Sequence, residues 1–195
     1  MKDRIQTHLL KSAEVKAETA ERCAGDIEKS ARLIADSFKN GGKLLLCGNG
    51  GSAADCQHMA AEFVSRLTKE FERPGLPAIA LTTDTSFITA FTNDCGYENV
   101  FARQVQALGR AGDVILGIST SGNSGNVISA LKEAKTKGIN TIALIGKGGA
   151  LKEMADVTIS INSESTQFIQ ESHLSVEHVI CDLVEQMVFG SLKGS

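Results

Sequence analysis

At 195 residues the chain is long enough for one α/β unit with a sizeable core and short for two domains. Apolar residues make up 42% and charged residues 22%, Trp is absent and Pro occurs only twice, which excludes disordered and fibrous classes, while a net charge of -3 lacks the basic footprint of a nucleic-acid binder. No apolar run reaches the roughly 18 residues of a membrane span, and residues 1–23 lack a signal-peptide core, so the expected setting is cytoplasmic, with no membrane and no nucleic-acid partner.

In chain order, residues 3–21 and 26–39 place apolar side chains at helical spacing (Ile5, Leu9, Leu10, then Ile27, Leu33, Ile34, Phe38) and stop at "NGG", which predicts two helices. A strand at 43–47 ("KLLLC") leads into a helix at 52–67, and a strand at 77–81 ("PAIAL") into helices at 86–93 and 98–109. Then follow a strand at 113–118 ("DVILGI"), a helix at 124–137, a strand at 140–145 ("NTIALI"), a helix at 149–155, a strand at 157–161 ("VTISI") and a last helix at 167–189. The strands show no polar alternation, as expected when both faces of a parallel sheet are covered.

The pattern reads as one α/β domain, a doubly wound five-stranded parallel sheet flanked by helices over 41–195, with two extra N-terminal helices over 1–40. Those helices and the long last one carry more apolar surface than the sheet needs, which points to packing between subunits. Ligands of such folds bind beyond the carboxyl ends of the strands.

Two loops occupy that place. "STSGNSGNV", 119–127, crowds Ser119, Thr120, Ser121 and Ser124 around Gly122 just before a helix. Hydroxyls beside unpaired helix-terminal amides make an anion cradle, although it is not a Walker A loop. The first cation after it is Lys132. "GNGGS", 48–52, lets Gly50 and Gly51 approach a ligand closely, and Ser52 is a candidate helix cap; Ala53 rules out the dinucleotide fingerprint.

The helix after "GNGGS" carries Asp55, His58 and Glu62 on one stripe, a candidate proton-transfer or metal pair when it lies near a phosphate loop. The last helix brings Gln170, Glu171, His173, Glu177 and His178. Spacing alone does not choose between its two histidines. The five cysteines are scattered and never spaced as CxxC, so reduced, mostly buried thiols are expected.

"CGNGGSAADCQHMAAEF", "TND" at 92–94, "GDVILGISTSGNSGNV" and "IQESHLSVEH" together resemble the phosphoheptose isomerases of the sugar isomerase (SIS) family, in the same order and over nearly the whole chain. The resemblance implies a flavodoxin-like SIS domain and a homotetrameric enzyme that converts sedoheptulose 7-phosphate into D-glycero-D-manno-heptose 7-phosphate, the entry step of bacterial heptose synthesis. It implies that Ser119, Thr120, Ser121 and Ser124 hold the phosphate. The sugar falls to Asn49, Gly50, Gly51, Asn93, Asp94, Glu62 and Gln170. It assigns catalysis to Glu62 and His178, and a zinc ion to His58, Glu62, Gln170 and His178. Where the family usually reads Arg-Ile-Gln-Glu, this chain has Phe168-Ile169-Gln170-Glu171, so a cation is missing; Arg66 remains as an anion partner. A second group with the same overall pattern, the non-catalytic SIS proteins that bind the replication initiator DnaA, lacks the carboxylate matching Glu62 and alters both loops.

Overall fold

Strands β1 (Leu44–Gly48), β2 (Ala78–Ala80), β3 (Val114–Ser119), β4 (Asn140–Ile145) and β5 (Val157–Ser160) pair in parallel in the order β2-β1-β3-β4-β5. The computed structural model describes residues 1–69 and 72–190. Helices α1 (Lys2–Lys39), α2 (Gly51–Val64), α3 (Thr85–Cys95), α4 (Val100–Leu108), α5 (Gly125–Thr136) and α6 (Thr166–Phe189) cover the sheet, with short 3-10 turns at Tyr97–Asn99 and Ala150–Glu153.

Successive strand residues point to opposite faces, and here both faces are dry. Leu44, Leu46, Leu116, Ile118, Ile142 and Leu144 pack under α1, α2 and α6. Leu45, Cys47, Ile115, Ala143 and Ile145 pack under α4 and α5 with Phe101, Val127 and Leu131. This explains the apolar runs without alternation that predict the strands. The three-residue edge strand β2 exposes the side chain of Ile79.

The two predicted N-terminal helices are one. α1 runs unbroken through Gly25, because its buried stripe of Thr19, Cys23, Ile27, Ser30, Ala31 and Ile34 spans the expected break. An exposed Gly costs a helix only about 1 kcal/mol, less than the burial of that stripe returns. The helix predicted over 149–155 shortens to the 3-10 turn at Ala150–Glu153, and that over 98–109 begins as the 3-10 turn at Tyr97–Asn99. Among the described residues no helix is long and apolar enough to cross a membrane.

In this strand order the chain reverses direction between β1 and β3, so the carboxyl ends of these neighbours open a crevice. The "GNGGS" turn leaves β1 and the serine loop leaves β3. Their side-by-side register, Leu46 beside Leu116 and Gly48 beside Ile118, sets the two loops next to each other.

Candidate active site

Gly50 sits at φ +56°, a conformation that suits glycine, and caps α2 in place of Ser52, which lies buried inside the helix. Gly51 touches the last helix: a Cβ there would stand 1.8 Å from Nε2 of Gln170. The absence of a side chain at 51 therefore lets α6 lay its amide against the turn. Gln170 also donates to Asp55 on α2 at 3.4 Å, which ties the two helices together beneath the crevice.

One and two turns further along α2 stand His58 and Glu62. Nε2 of His58 lies 2.8 Å from Nε2 of His178 and 3.7 Å from the Glu62 carboxylate. Glu62 and His178, distant in sequence, are thus separated by no more than these two short contacts end to end. The Glu62 side chain is 19% exposed and that of His58 41%, so the cluster is open to solvent. His173 takes a different place: it is fully buried and neither ring nitrogen is in a complete hydrogen bond, although the backbone of Ile145 lies close.

Burial sets the electrostatics beneath this cluster. Desolvation lowers the His173 imidazole to about 4, so that ring is neutral near pH 7. Glu177, fully buried and without a hydrogen-bond partner, is raised to about 8, first by desolvation and then by the nearby Asp55. Asp55 itself is raised, mainly by burial, against the opposing effects of Gln170 and His58.

The serine loop is assembled but not used up. The Ser124 and Ser119 hydroxyls share a hydrogen bond at 2.9 Å, Ser119 meets Ser121 at 3.4 Å, and no side chain caps α5. Gly122 at φ +65° packs so closely that a Cβ would fall 2.0 Å from the Gly148 carbonyl. Asn49 is held between the loops: it exchanges amide hydrogen bonds with buried Asn126 at 2.9 and 2.8 Å, and the Tyr97 hydroxyl donates to its Oδ1 at 2.9 Å.

Asn93 donates to Asp94 at 2.9 Å on α3, a helix that buries none of its residues. Among the described residues neither side chain hydrogen-bonds to Asn49, Glu62 or the serine loop. Arg66, read as an anion partner, is engaged with Glu72 at 2.6 Å. In the place of the missing cation, the Phe168 ring packs on His8, which bonds Glu171 at 2.9 Å.

Sequence reasoning misses three supports. Asn126 and Tyr97 orient Asn49, and only the "GN" after the serine loop hints at the first. Arg73, buried beside Glu185, donates to the Glu62 and Phe63 carbonyls at 2.8 and 2.7 Å, fixing the last turn of α2; its neighbours in sequence give no signal.

His58, His178 and Glu62 are the candidate donors for a metal ion. Two imidazole nitrogens this close require a shared proton or a shared cation, and the carboxylate beside them adds the oxygen donor zinc accepts. Among the described residues no three His, Cys, Asp or Glu side chains form a ready-made ligand cluster. Gln170 is the fourth candidate donor, through its amide oxygen.

A family model described as "SIS domain" matches residues 8–146. The phosphoheptose isomerase of Roseiflexus sp. (strain RS-1) is 54% identical over 179 residues, 91% of this chain and 90% of that one. That of Sulfurimonas denitrificans is 49% identical over 193 residues, covering 97% and 98%. Among solved structures, the phosphoheptose isomerase of Neisseria gonorrhoeae matches with a TM-score of 0.88 at 43% identity over 95% of this chain and 98% of that one. The enzyme from Francisella tularensis matches with 0.90 at 40% identity over 94% and 97%.

Proposed function

The chain belongs to the SIS-domain family of phosphoheptose isomerases, and we propose that it isomerises sedoheptulose 7-phosphate to D-glycero-D-manno-heptose 7-phosphate with Glu62 and His178 as its proton-transfer pair. The observation that carries this reading is the meeting of Glu62, His58 and His178 on α2 and α6, with α2 starting from the glycine turn that Asn49 joins to Asn126 of the serine loop.

Ketose-to-aldose conversion moves one proton from C1 to C2 and another between the two oxygens, through an enediol. The Glu62 carboxylate takes the C1 proton, exchanges it with solvent during the enediol's lifetime and delivers a proton at C2. The His178 imidazole passes the proton from O1 to O2. Ser119, Thr120, Ser121 and Ser124 accept the phosphate with the amides of α5, and Asn49, Gly50, Gly51 and Gln170 hold the sugar chain. His58, Glu62, Gln170 and His178 would hold a zinc ion, which when bound supplies Lewis-acid polarisation of the substrate carbonyl.

The reading includes a homotetramer. α3 fully buries none of its residues, and α1 exposes Ile5, Leu9 and Leu10; contact between subunits would cover both and bring Asn93 and Asp94 against substrate. A cytoplasmic setting is supported by cysteines that are all free, four of them buried.

Incubation with sedoheptulose 7-phosphate in D2O tests the proposal. Native protein should form the aldose with solvent deuterium at C2, and Glu62→Gln should form none. Native protein that is inert both with and without added zinc would refute it.

A further inference from the structure

A polar cleft of about 310 Å³ opens beside the serine loop, lined among others by Thr120, Ser121, Lys147, Ser163, Glu164 and Thr166. The turn that carries Lys147 is clamped to that loop through backbone: Leu151 N donates to the Gly122 carbonyl at 3.0 Å, Ala150 N donates to Asn123 Oδ1 at 2.9 Å, and Gly149 packs against Gly122 too closely for a Cβ. Lys147, remote from Ser121 in sequence, is therefore fixed beside it by the fold.

Among the described residues Lys147 is the one cation lining the cleft. Its ammonium donates to Glu164 at 2.7 Å, and the two side chains are 60% and 82% exposed. A pair that exposed contributes little and yields to a stronger anion. A phosphate monoester carries about twice the charge of a carboxylate near neutrality.

The cradle also needs a cation. Glu98 lays its carboxylate over Gly125 at the first turn of α5, where a Cβ would stand 2.4 Å from it. The positive end of a helix dipole amounts to about half a unit charge, so a full negative charge there outweighs it. Hydroxyls and amides alone leave an incoming phosphate facing that carboxylate.

We propose that Lys147 is the cation of the phosphate subsite, released from Glu164 when the sugar phosphate seats its tail in the serine loop, so that Glu164 sets the affinity of the empty site. The inference rests on the serine loop being the phosphate site.

Titration calorimetry of the full chain with inorganic phosphate tests it, with Ser121→Ala as the loop control. Lys147→Gln should weaken phosphate by about tenfold and flatten its salt dependence, and Lys147→Arg should restore most of the affinity. Glu164→Gln should tighten binding by about threefold, because the competing carboxylate is gone. With sedoheptulose 7-phosphate, Lys147→Gln should raise KM more than it lowers kcat. If Ser121→Ala loses phosphate while Lys147→Gln and Glu164→Gln bind as the native protein does, the loop reading stands and the lysine inference falls. If the native protein binds no phosphate, both fall.

Discussion

The buried guanidinium of Arg73 donates to the backbone carbonyl of Glu62 at 2.8 Å, so the carboxylate assigned to proton transfer is carried on a helical turn held from behind. Arg73 also meets Glu185 at 2.6 Å, with 0% and 3% of the two side chains exposed. Removing one partner of such a pair strands the other charge, at a cost of about 3–5 kcal/mol. Arg73→Met should lower the urea midpoint accordingly, and Arg73→Met with Glu185→Leu should recover much of the loss. Equal stability of single variant and native protein would contradict the structure.

Gly51→Ala places a methyl group where Gln170 now lies. The amide is the far end of a flexible side chain and can move, so stability should change by less than about 1 kcal/mol. Displacing it from the crevice should nevertheless lower kcat/KM by about 100-fold, since errors near 1 Å in a positioning group have that cost. Steady-state kinetics beside a denaturation curve separates the two effects.

The buried groups on α6 predict a stability profile. His173 is lowered from 6.5 to about 4, so the unfolded chain binds the extra proton between those values and stability is lost as pH falls through that window. Glu177 is raised from 4.5 to about 8, so the folded chain holds the extra proton and stability is lost as pH rises from about 4.5 through about 8. Glu177→Gln should flatten the alkaline limb by a few kcal/mol, on the order of 1.4 per pH unit, and steepen the acid limb below about pH 6.5, where the two groups oppose each other. Denaturant midpoints measured from pH 5 to pH 9 check this; an unchanged slope would count against a buried neutral Glu177.

Zinc should raise the melting temperature of the native protein. At 100 times its dissociation constant a ligand stabilises the native state by about 2.7 kcal/mol. His58→Ala and His178→Ala should each abolish the shift, because each removes one of the nitrogens that now stand 2.8 Å apart. Chelator should reverse it. A shift that survives both substitutions would place the metal elsewhere.

Asn126→Leu should weaken substrate binding without touching substrate itself. The side chain is buried and exchanges two hydrogen bonds with Asn49, so its loss frees Asn49 to turn away from the crevice. A rise in KM of about tenfold with kcat nearly kept is expected for a group that acts through another.

Much of this architecture can be read from the chain, for definite reasons. Strands buried on both faces leave uninterrupted apolar runs such as "LLLC" and "VILGI", and the turns after them need glycine or hydroxyl residues that stand out. The i, i+4 pair of His58 and Glu62 is a local relation and is equally visible. The choice between His173 and His178 is not, because both lie on α6 and only packing decides that the first faces the core and the second faces His58. Asn126, Arg73 and Lys147 escape notice for the same reason: each acts through a contact whose partner is set by the third dimension. Gly25 misleads in the other direction, since a punctuating residue on an exposed face cannot stop a helix whose opposite face is buried.

α1 is 38 residues long, about 57 Å of rod on a body whose radius of gyration should be near 16 Å. Such a rod overhangs. Its first two turns touch water on every side, and its earliest ties to the rest of the fold are at His8 and Ser12, which both bind Glu171, the neighbour of Gln170. The overhang is therefore joined, through one carboxylate, to the residue next to the amide that rests against the glycine turn.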